Sequence, residues 1–308
     1  MERIPITVTR LSAILYLCQY VILKISVNHC KMEELSFEDL DTYLLARDSK
    51  IIHQVWFGII PDRNAARKAL KGLQKFRDSW ITKNPDWTYL CWNLENCLTL
   101  MKQHYPQHIE MYKKYPYHIQ RCDVIRYFIL HRYGGLYADM DYFCNRGWNE
   151  VLQEYPKDIY LVETPNKIRS SIHISNSLMY SKPGHTFWSK LFIELEMNQR
   201  VPVYYSRHMI IMFTTGPGIL NRVFRKYYTK YKLNYYPYKL FHPYGLKSDI
   251  ITLSNKPHIF SIHLGKGSWE KKDSHWLIFL YQEYRVLLVS IIILIVPSLV
   301  YYLINKKS

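Results

Sequence analysis

Apolar and polar residues alternate along the middle of the chain with the periods of an α/β domain. Residues 50–58 read as a buried strand, and apolar side chains then recur at helical spacing through 65–82. The same criterion predicts further strands at 87–92, 158–163, 174–180, 235–241 and 258–263, and further helices at 119–133, 185–199 and 217–230. Residues 94–115 are predicted to be a helical region that is broken at Pro106. This alternation predicts a single α/β domain over residues 49–275.

Two apolar segments lie outside this domain. Residues 286–304 contain no charge, and as a helix they would rise about 29 Å, close to the ~30 Å thickness of a hydrocarbon core. We therefore predict a transmembrane helix there. Residues 1–48 hold a second apolar stretch at 11–27, which is a candidate membrane anchor, an uncleaved signal peptide or an amphipathic helix. A single-pass or two-pass membrane protein is expected, with the side of the membrane on which the domain lies left open.

The charge of the chain favours anionic partners. The 308 residues include 41 Lys and Arg against 25 Asp and Glu, a formal net charge of +16. Nucleotide diphosphates and lipid headgroups both fit this charge, whereas nucleic acid is not expected because the basic residues are scattered along the chain. The six cysteines show neither a CxxC pair nor a zinc-like spacing, so we predict mostly buried thiols.

The candidate chemistry lies where a predicted helix ends at Gly134-Gly135 and a strand is predicted over 136–143. Because side chains alternate along a strand, Asp139 and Asp141 are expected to point to one side and to share a cation. Carboxylate oxygens suit Mg²⁺ or Mn²⁺, and such a cation can neutralise a diphosphate leaving group. An Asp-x-Asp pair alone is a weak signal, and its position after the helix and the paired glycines strengthens it.

Several short motifs occur one after another along the chain. They are IIHQVWFG at 51–58, the run Arg-x-Asp-x-x-Arg-Tyr to Gly-Gly-x-Tyr-x-Asp-x-Asp from Arg121 to Asp141, TTGPG at 214–218, His263, and GSW at 267–269. Together they resemble the Asp-x-Asp sugar-transferase family, which includes fungal initiating mannosyltransferases, inositol phosphorylceramide mannosyltransferases and, more distantly, glucosylating clostridial toxins. The resemblance covers residues 50–269.

The resemblance implies a GT-A-like fold, a nucleotide-sugar donor (a UDP- or GDP-hexose), a divalent cation, Mn²⁺ or Mg²⁺, and retention of the anomeric configuration. Because the family includes mannosyltransferases, mannose is one of the hexoses implied. Because the GSW motif lies close in sequence to the predicted transmembrane helix, we expect the acceptor to be a membrane lipid or a membrane-bound glycan, at an endoplasmic reticulum or Golgi-type membrane. Residues 49–275 would then form the catalytic domain.

The resemblance also assigns roles by position. Asp139, Asp141 and Arg126 would form the catalytic set, with Asp141 the principal metal ligand and Asp139 serving both ribose and metal. The remaining donor contacts would come from Trp56 on the nucleobase, Asp123 and Arg126 on ribose or sugar, Asn176 on the sugar, and Ser268 and Trp269 on the diphosphate.

Alternatives remain for these residues and for the function. Arg126 and Asp123 could form only an ion pair on one helix face, and Trp56 could pack in the core. His53, His173 and His263 are each expected to be structural, with His263 the best placed for a site. A phosphoryl-transfer enzyme also uses two aspartates, although its usual Asp-x-Asp-x-Thr/Val continuation is absent here. A catalytically inactive, membrane-tethered glycan-binding protein is the third reading.

Overall fold

In the computed structural model of the protein, eight strands and eleven helices are described. The structure describes residues 36–58, 63–164, 172–231, 233–243, 250–265, 273 and 276. The strands are β1 (Ile51–Val55), β2 (Thr88–Trp92), β3 (Gly135–Ala138), β4 (Tyr142–Cys144), β5 (Ile159–Glu163), β6 (Ile174–Ser181), β7 (Tyr235–Tyr236) and β8 (Ser261–His263).

The helices fill the intervals between these strands. They are α1 (Phe37–Leu45), α2 (Arg63–Lys83), α3 (Leu94–His104), α4 (Ile109–Lys114), α5 (His118–Tyr133), α6 (Trp148–Glu154), α7 (Thr186–Met197), α8 (Arg207–Thr214), α9 (Pro217–Tyr227), α10 (Tyr238–Phe241) and α11 (Ile250–Ser254). A 3₁₀ turn at Pro106–His108 separates α3 from α4, at the proline that the sequence marks as a break.

Six strands form a mixed sheet in the order β2-β1-β3-β6-β5-β7. β1 is parallel to both β2 and β3, and β6 is antiparallel to its neighbours β3 and β5. β7 pairs in parallel with β5. The carboxyl ends of β1, β3 and β5 therefore share one edge, where the ligands of α/β proteins usually bind. β4 and β8 form a separate antiparallel ribbon.

Buried side chains pack on both faces of the large sheet. Along β3, Tyr137 belongs to one apolar cluster, while Leu136 and Ala138 belong to the other. This alternation follows from the two-residue period of a strand. Helices cover both faces, so the strands are apolar on both sides, as the predicted α/β class requires. The four described cysteines are free, and three of them are buried, which confirms the prediction of thiols for those four.

The paired glycines let the chain turn from α5 into β3. Gly134 and Gly135 have φ of +66° and +87°, a region that L side chains rarely adopt. A Cβ on Gly135 would lie 2.5 Å from the carbonyl oxygen of Ile51. The second glycine is therefore required for β3 to lie against β1, in addition to its predicted role as a helix stop.

Two strand predictions were wrong. The strand predicted over 136–143 ends at Ala138, because the chain turns through Met140 and re-enters a strand in the other sheet. The strand predicted over 235–241 is only two residues long, because Pro237 has no N–H for the ladder and a short helix follows it.

Neither predicted membrane segment lies among the described residues. Residues 11–27 and 286–304 both fall outside the described ranges. Within those ranges no helix combines the length and the apolar character that a bilayer crossing requires.

Candidate active site

The Asp-x-Asp motif occupies a turn between the two sheets. The backbone N–H of Asp139 still donates to Ser177 O of β6 at 2.8 Å, and Tyr142 N then donates to Asp139 O at 3.1 Å, which closes the turn. The predicted alternation along one strand is therefore not what brings Asp139 and Asp141 together. The turn does so, at the carboxyl end of β3.

The antiparallel ribbon adds a third side chain to this pair. Tyr142 pairs with His263 across β4 and β8, so the imidazole comes beside the motif. One ligand atom from each of Asp139, Asp141 and His263 lies within 4.8 Å of the other two. His263 Nε2 is 3.1 Å from Asp141 Oδ1. Two carboxylates and one imidazole offer the oxygen and nitrogen donors that suit Mn²⁺, so these residues fit a divalent cation.

His263 is fixed on the side facing away from the carboxylates. Its ring stacks on Tyr142 with centroids 4.2 Å apart and an interplanar angle of 2°. Its Nδ1 lies 2.9 Å from Nε2 of His242, and burial lowers the pKa of His242 to about 3, so that imidazole is neutral. Metal-binding histidines are commonly oriented by a hydrogen bond at the second nitrogen. The sequence expectation that His263 is structural did not anticipate this arrangement.

Arg126 on α5 joins the turn to the rest of the site. Its Nη1 donates to Asp139 Oδ1 at 2.9 Å and to the carbonyl of Asn176 at 2.8 Å, and its Nη2 lies 3.1 Å from Asp123 Oδ1. The guanidinium carbon also sits 4.5 Å from the ring centroid of Tyr137. The planar fork of arginine serves these acceptors at once. Asp123 and Arg126 share one helix face and form the ion pair that was the alternative to their predicted roles in donor binding, and those roles remain a prediction.

Asp123 is a buried carboxylate within this network. Asn176 Nδ2 donates to its Oδ1 at 2.9 Å, and the hydroxyl of Thr215 donates to its Oδ2 at 3.3 Å. Burial raises the pKa of Asp123 to about 6, although the neighbouring Arg126 opposes the rise. Thr215 lies in the TTGPG motif, whose role in the site the sequence reasoning had not identified.

The main chain and the carboxylate of Asp139 are both held in place. Gln54 Nε2 donates to Asp139 O at 3.1 Å, and the hydroxyl of Tyr89 donates to Gln54 Oε1 at 2.5 Å. Tyr137 donates to Asp139 Oδ1 at 2.7 Å, the same oxygen that Arg126 reaches. Among the described residues the hydrogen bonds to this carboxylate all go to Oδ1, so Oδ2 is the oxygen that we expect to meet a ligand.

Of the other residues predicted to bind the donor, the structure describes Trp56 but not Ser268 or Trp269. Trp56 directly follows β1 and is half-buried. Because His53 pairs with Tyr137, residue 55 comes level with Asp139, which places Trp56 at the same sheet edge as the motif. Ser268 and Trp269 lie outside the described residues. The structure thus brings Asp139, Asp141, Arg126, Asp123 and Asn176 together, with Trp56 on the neighbouring strand.

His53 has the structural role expected of it. It is fully buried in β1, where Trp92 Nε1–H donates to its Nδ1 at 3.1 Å. Nδ1 must then accept, so we assign the proton to Nε2, which lies 2.9 Å from Gly134 O and donates to it. Burial lowers the pKa of His53 to about 3. The neutral ring ties β1 to β2 and to the turn before β3.

The fold and the site together define an α/β protein with a carboxylate-rich turn at the carboxyl edge of its sheet. Residues 71–158 match the family described as "Glycosyltransferase sugar-binding region containing DXD motif". That stretch includes α5 and the Asp-x-Asp turn, and the match confirms the resemblance noted in the sequence for these residues.

Similar proteins are glycosyltransferases. A mannosyl phosphorylinositol ceramide synthase of Saccharomyces cerevisiae is 35% identical over 178 residues, 58% of this chain and 43% of that protein. Inositol phosphoceramide mannosyltransferase 3 of Schizosaccharomyces pombe is 31% identical over 219 residues, 68% of this chain and 55% of that protein. The chain therefore spans about half the length of these relatives.

A solved glycosyltransferase structure is distantly similar to this chain. The PaToxG glycosyltransferase covers 70% of this chain and 79% of its own, with 17% identity and a TM-score of 0.40.

Proposed function

We propose that this chain is a metal-dependent, retaining glycosyltransferase with a GT-A-like fold, which moves a hexose from a nucleotide-sugar donor to an acceptor at a membrane. The observation that carries the proposal is the convergence of Asp139, Asp141 and His263, whose ligand atoms lie within 4.8 Å of one another. This cluster sits at the sheet edge where α/β proteins bind nucleotides.

The surrounding residues have the chemistry that a nucleotide-sugar donor needs. Asp139, Asp141 and His263 would hold a divalent cation, which when bound neutralises the charge that develops on the diphosphate. Arg126 fixes the Asp139 carboxylate through Oδ1. Asp123, itself held by Asn176, accepts hydrogen bonds and so suits the hydroxyl groups of ribose or sugar. These contacts would orient the donor before the glycosyl bond breaks.

The donor residues outside this network are proposed on the resemblance. Trp56 offers an indole surface at the same edge and would stack on the base of a UDP- or GDP-hexose. Ser268 and Trp269 would close over the diphosphate. The names of the relatives make mannose the first sugar to test.

The acceptor is proposed to be a lipid headgroup or a glycan held at an endomembrane. The relatives are named for transfer to inositol phosphoceramide, and the uncharged segment 286–304 would tether the domain to a bilayer. Tethering concentrates the enzyme where a lipid-borne acceptor is found. We include both the single-pass and the two-pass arrangement in this proposal.

Donor turnover with a matched pair of variants tests the proposal. The full-length chain in detergent is incubated with a panel of UDP- and GDP-hexoses, with Mn²⁺, Mg²⁺ or EDTA, and nucleoside diphosphate release is measured. Asp141→Asn should abolish release, because an amide lacks the charge that holds the cation. Asp158→Asn is the control, since this exposed aspartate pairs with Lys182 at the opposite end of the sheet.

Cation binding gives a second readout that does not depend on turnover. Mn²⁺ affinity, measured by electron paramagnetic resonance, should fall in Asp141→Asn by more than roughly 10–100-fold. That range is the loss expected when a residue that only hydrogen-bonds to a metal ligand is removed. Retained turnover and affinity in a folded Asp141→Asn protein would refute the metal assignment. Release of a nucleoside monophosphate and hexose 1-phosphate from the donor, in place of a nucleoside diphosphate, would indicate phosphoryl transfer. Donor binding without any turnover would indicate a glycan-binding protein.

A further inference from the structure

Helix α8 exposes apolar side chains that a helix of a globular protein normally buries. Its sequence is RHMIIMFT, and only Ile211 and Thr214 are buried. Met209, Ile210 and Met212 are only partly buried, and Phe213 is 41% exposed. A surface helix usually turns its apolar face to the core, so the exposed face of α8 indicates a partner outside the domain.

The loop before α8 extends the same apolar surface. Val203 is fully exposed and Tyr204 is 76% exposed, and both precede the helix by only a few residues. Tyr205 connects the two parts, with ring centroids 5.4 Å from Tyr204 and 5.9 Å from Phe213. We call this region the α8 surface. It consists of Val203, Tyr204, Tyr205, Met209, Ile210, Met212 and Phe213.

The chain that leads to the apolar tail passes beside the α8 surface. Asp273 Oδ2 accepts a hydrogen bond of 2.9 Å from the backbone N–H of His208, in the first turn of α8. Trp276, three residues further on, is 64% exposed. From there the uncharged segment 286–304 begins within about 35 Å even if the intervening chain is fully extended. If that segment spans a bilayer, the α8 surface is held next to it.

We propose that the α8 surface rests on the bilayer and is the membrane-facing side of the domain; this inference relies on the membrane tether in the proposed function. The composition of the surface fits an interface better than a protein groove. Tyrosine and tryptophan place an apolar ring among lipid chains and a polar tip at the headgroups. Arg200 is exposed beside the loop, and the chain carries a net charge of +16, which suits anionic headgroups.

The position of the α8 surface gives it a use in the reaction. At the end of α8, Thr214 accepts a hydrogen bond of 2.8 Å from Gln120, and the next residue, Thr215, donates to Asp123 at 3.3 Å. The helix that would lie on the bilayer therefore ends at the wall of the candidate donor site. A headgroup projecting from the membrane beside α8 would meet the site without leaving the lipid surface.

Photo-cross-linking tests the inference without relying on catalysis. The photoreactive amino acid p-benzoylphenylalanine replaces Tyr204 in the full-length chain, which is reconstituted into vesicles of phosphatidylcholine and phosphatidylserine. The matched control replaces Tyr228, an aromatic residue that is 41% exposed and follows α9, about 16 Å along that helix from the end of α8. We expect several-fold more lipid adduct from position 204 than from position 228.

A transfer assay supplies the functional arm. Tyr204→Ser and Phe213→Ser should leave donor hydrolysis unchanged and should lower transfer to a vesicle-borne glycolipid several-fold, with transfer to a short-chain soluble analogue unaffected. Tyr228→Ser should change none of these. Equal lipid adducts at both positions, or adducts to a second protein copy at position 204, would overturn the inference. Inactivity of the unaltered chain would refute the proposed function instead, while the adduct yields would still decide the membrane contact.

Discussion

Replacing Arg126 by methionine should be among the most damaging single changes outside the cluster of Asp139, Asp141 and His263. The Arg126 side chain is only 4% exposed and faces Asp139 and Asp123, whose side chains are 29% and 8% exposed. Arg126→Met removes the charge that neutralises both carboxylates and leaves Asp123 buried without a cation. Breaking a buried pair from one side costs about 3–5 kcal/mol, which for a domain of this size lowers Tm by about 6–20 °C.

The burial of Asp123 also predicts how this cost depends on pH. The folded pKa of Asp123 is already raised to about 6, above its unfolded value, so protonation of this carboxyl is favoured in the folded state as pH falls. A neutral carboxyl no longer needs the guanidinium. Arg126→Met removes the charge that opposes this rise in pKa, so Asp123 becomes neutral at a higher pH in the variant than in the unaltered chain. The destabilisation by Arg126→Met should therefore grow as the pH rises above about 6 and should be smallest at and below that pH.

The assay is thermal unfolding of the full-length chain in detergent, followed by circular dichroism at several pH values. Asp123→Asn is combined with Arg126→Met in a double-mutant cycle, because the amide removes the unpaired charge and keeps the shape. The double variant should be destabilised by about 1–3 kcal/mol less than the sum of the single variants. Additive losses, or a cost of Arg126→Met below about 1 kcal/mol near neutral pH, would refute the reasoning.

Three further changes test other parts of the structure. Trp56→Ala should weaken donor binding by about 1–3 kcal/mol in calorimetry, with partial recovery in Trp56→Phe, whereas unchanged affinity would place Trp56 in the core. The pKa of His53 is lowered to about 3, so this histidine contributes stability above pH 6.5 that is lost as pH falls. Between pH 7 and 5, the free energy of unfolding measured with urea should fall by about 2 kcal/mol less in His53→Gln than in the unaltered chain. The control His118→Gln, at an exposed position, should not show this difference. Gly135→Ala should lower the free energy of unfolding by more than about 1–2 kcal/mol, whereas the control Gly72→Ala, at a helical position with open space around it, should be neutral or stabilising. Equal melting temperatures of the two variants would contradict the conclusion that β3 needs a glycine to lie against β1.

Most helices and strands could be predicted from the sequence because their periodicity is local. The helix predicted over 119–133 is α5, the helix over 65–82 is α2, and proline divides the region 94–115 where expected. α8 was not predicted, because the consecutive apolar residues at 209–213 show no helical period in the sequence. The strand predicted through the Asp-x-Asp motif failed for a different reason. A run of apolar and acidic residues does not show where the chain changes from one sheet to another.

The candidate site could be predicted where its residues are close in sequence. Asp123 and Arg126 are one turn apart on α5, and the turn bearing Asp139 and Asp141 follows after one short strand. Thr215 and Gln54 could not be assigned in this way. Thr215 reaches Asp123 only because α8 and α9 fold against α5, and Gln54 reaches Asp139 only because β1 pairs with β3.

The turn at the Asp-x-Asp motif also explains why His263 belongs to the same cluster. The sequence predicted that one strand continues through Asp139 and Asp141. Because the chain turns at Met140, Asp139 stays on the large sheet, while Asp141 leads into β4 and the ribbon with β8. The backbone of Leu264 donates to Asp141 O at 3.2 Å, which fixes the ribbon against the turn. A cation held by all three side chains would thus link the two sheets. The geometry of the site therefore depends on a turn that the local sequence pattern did not predict.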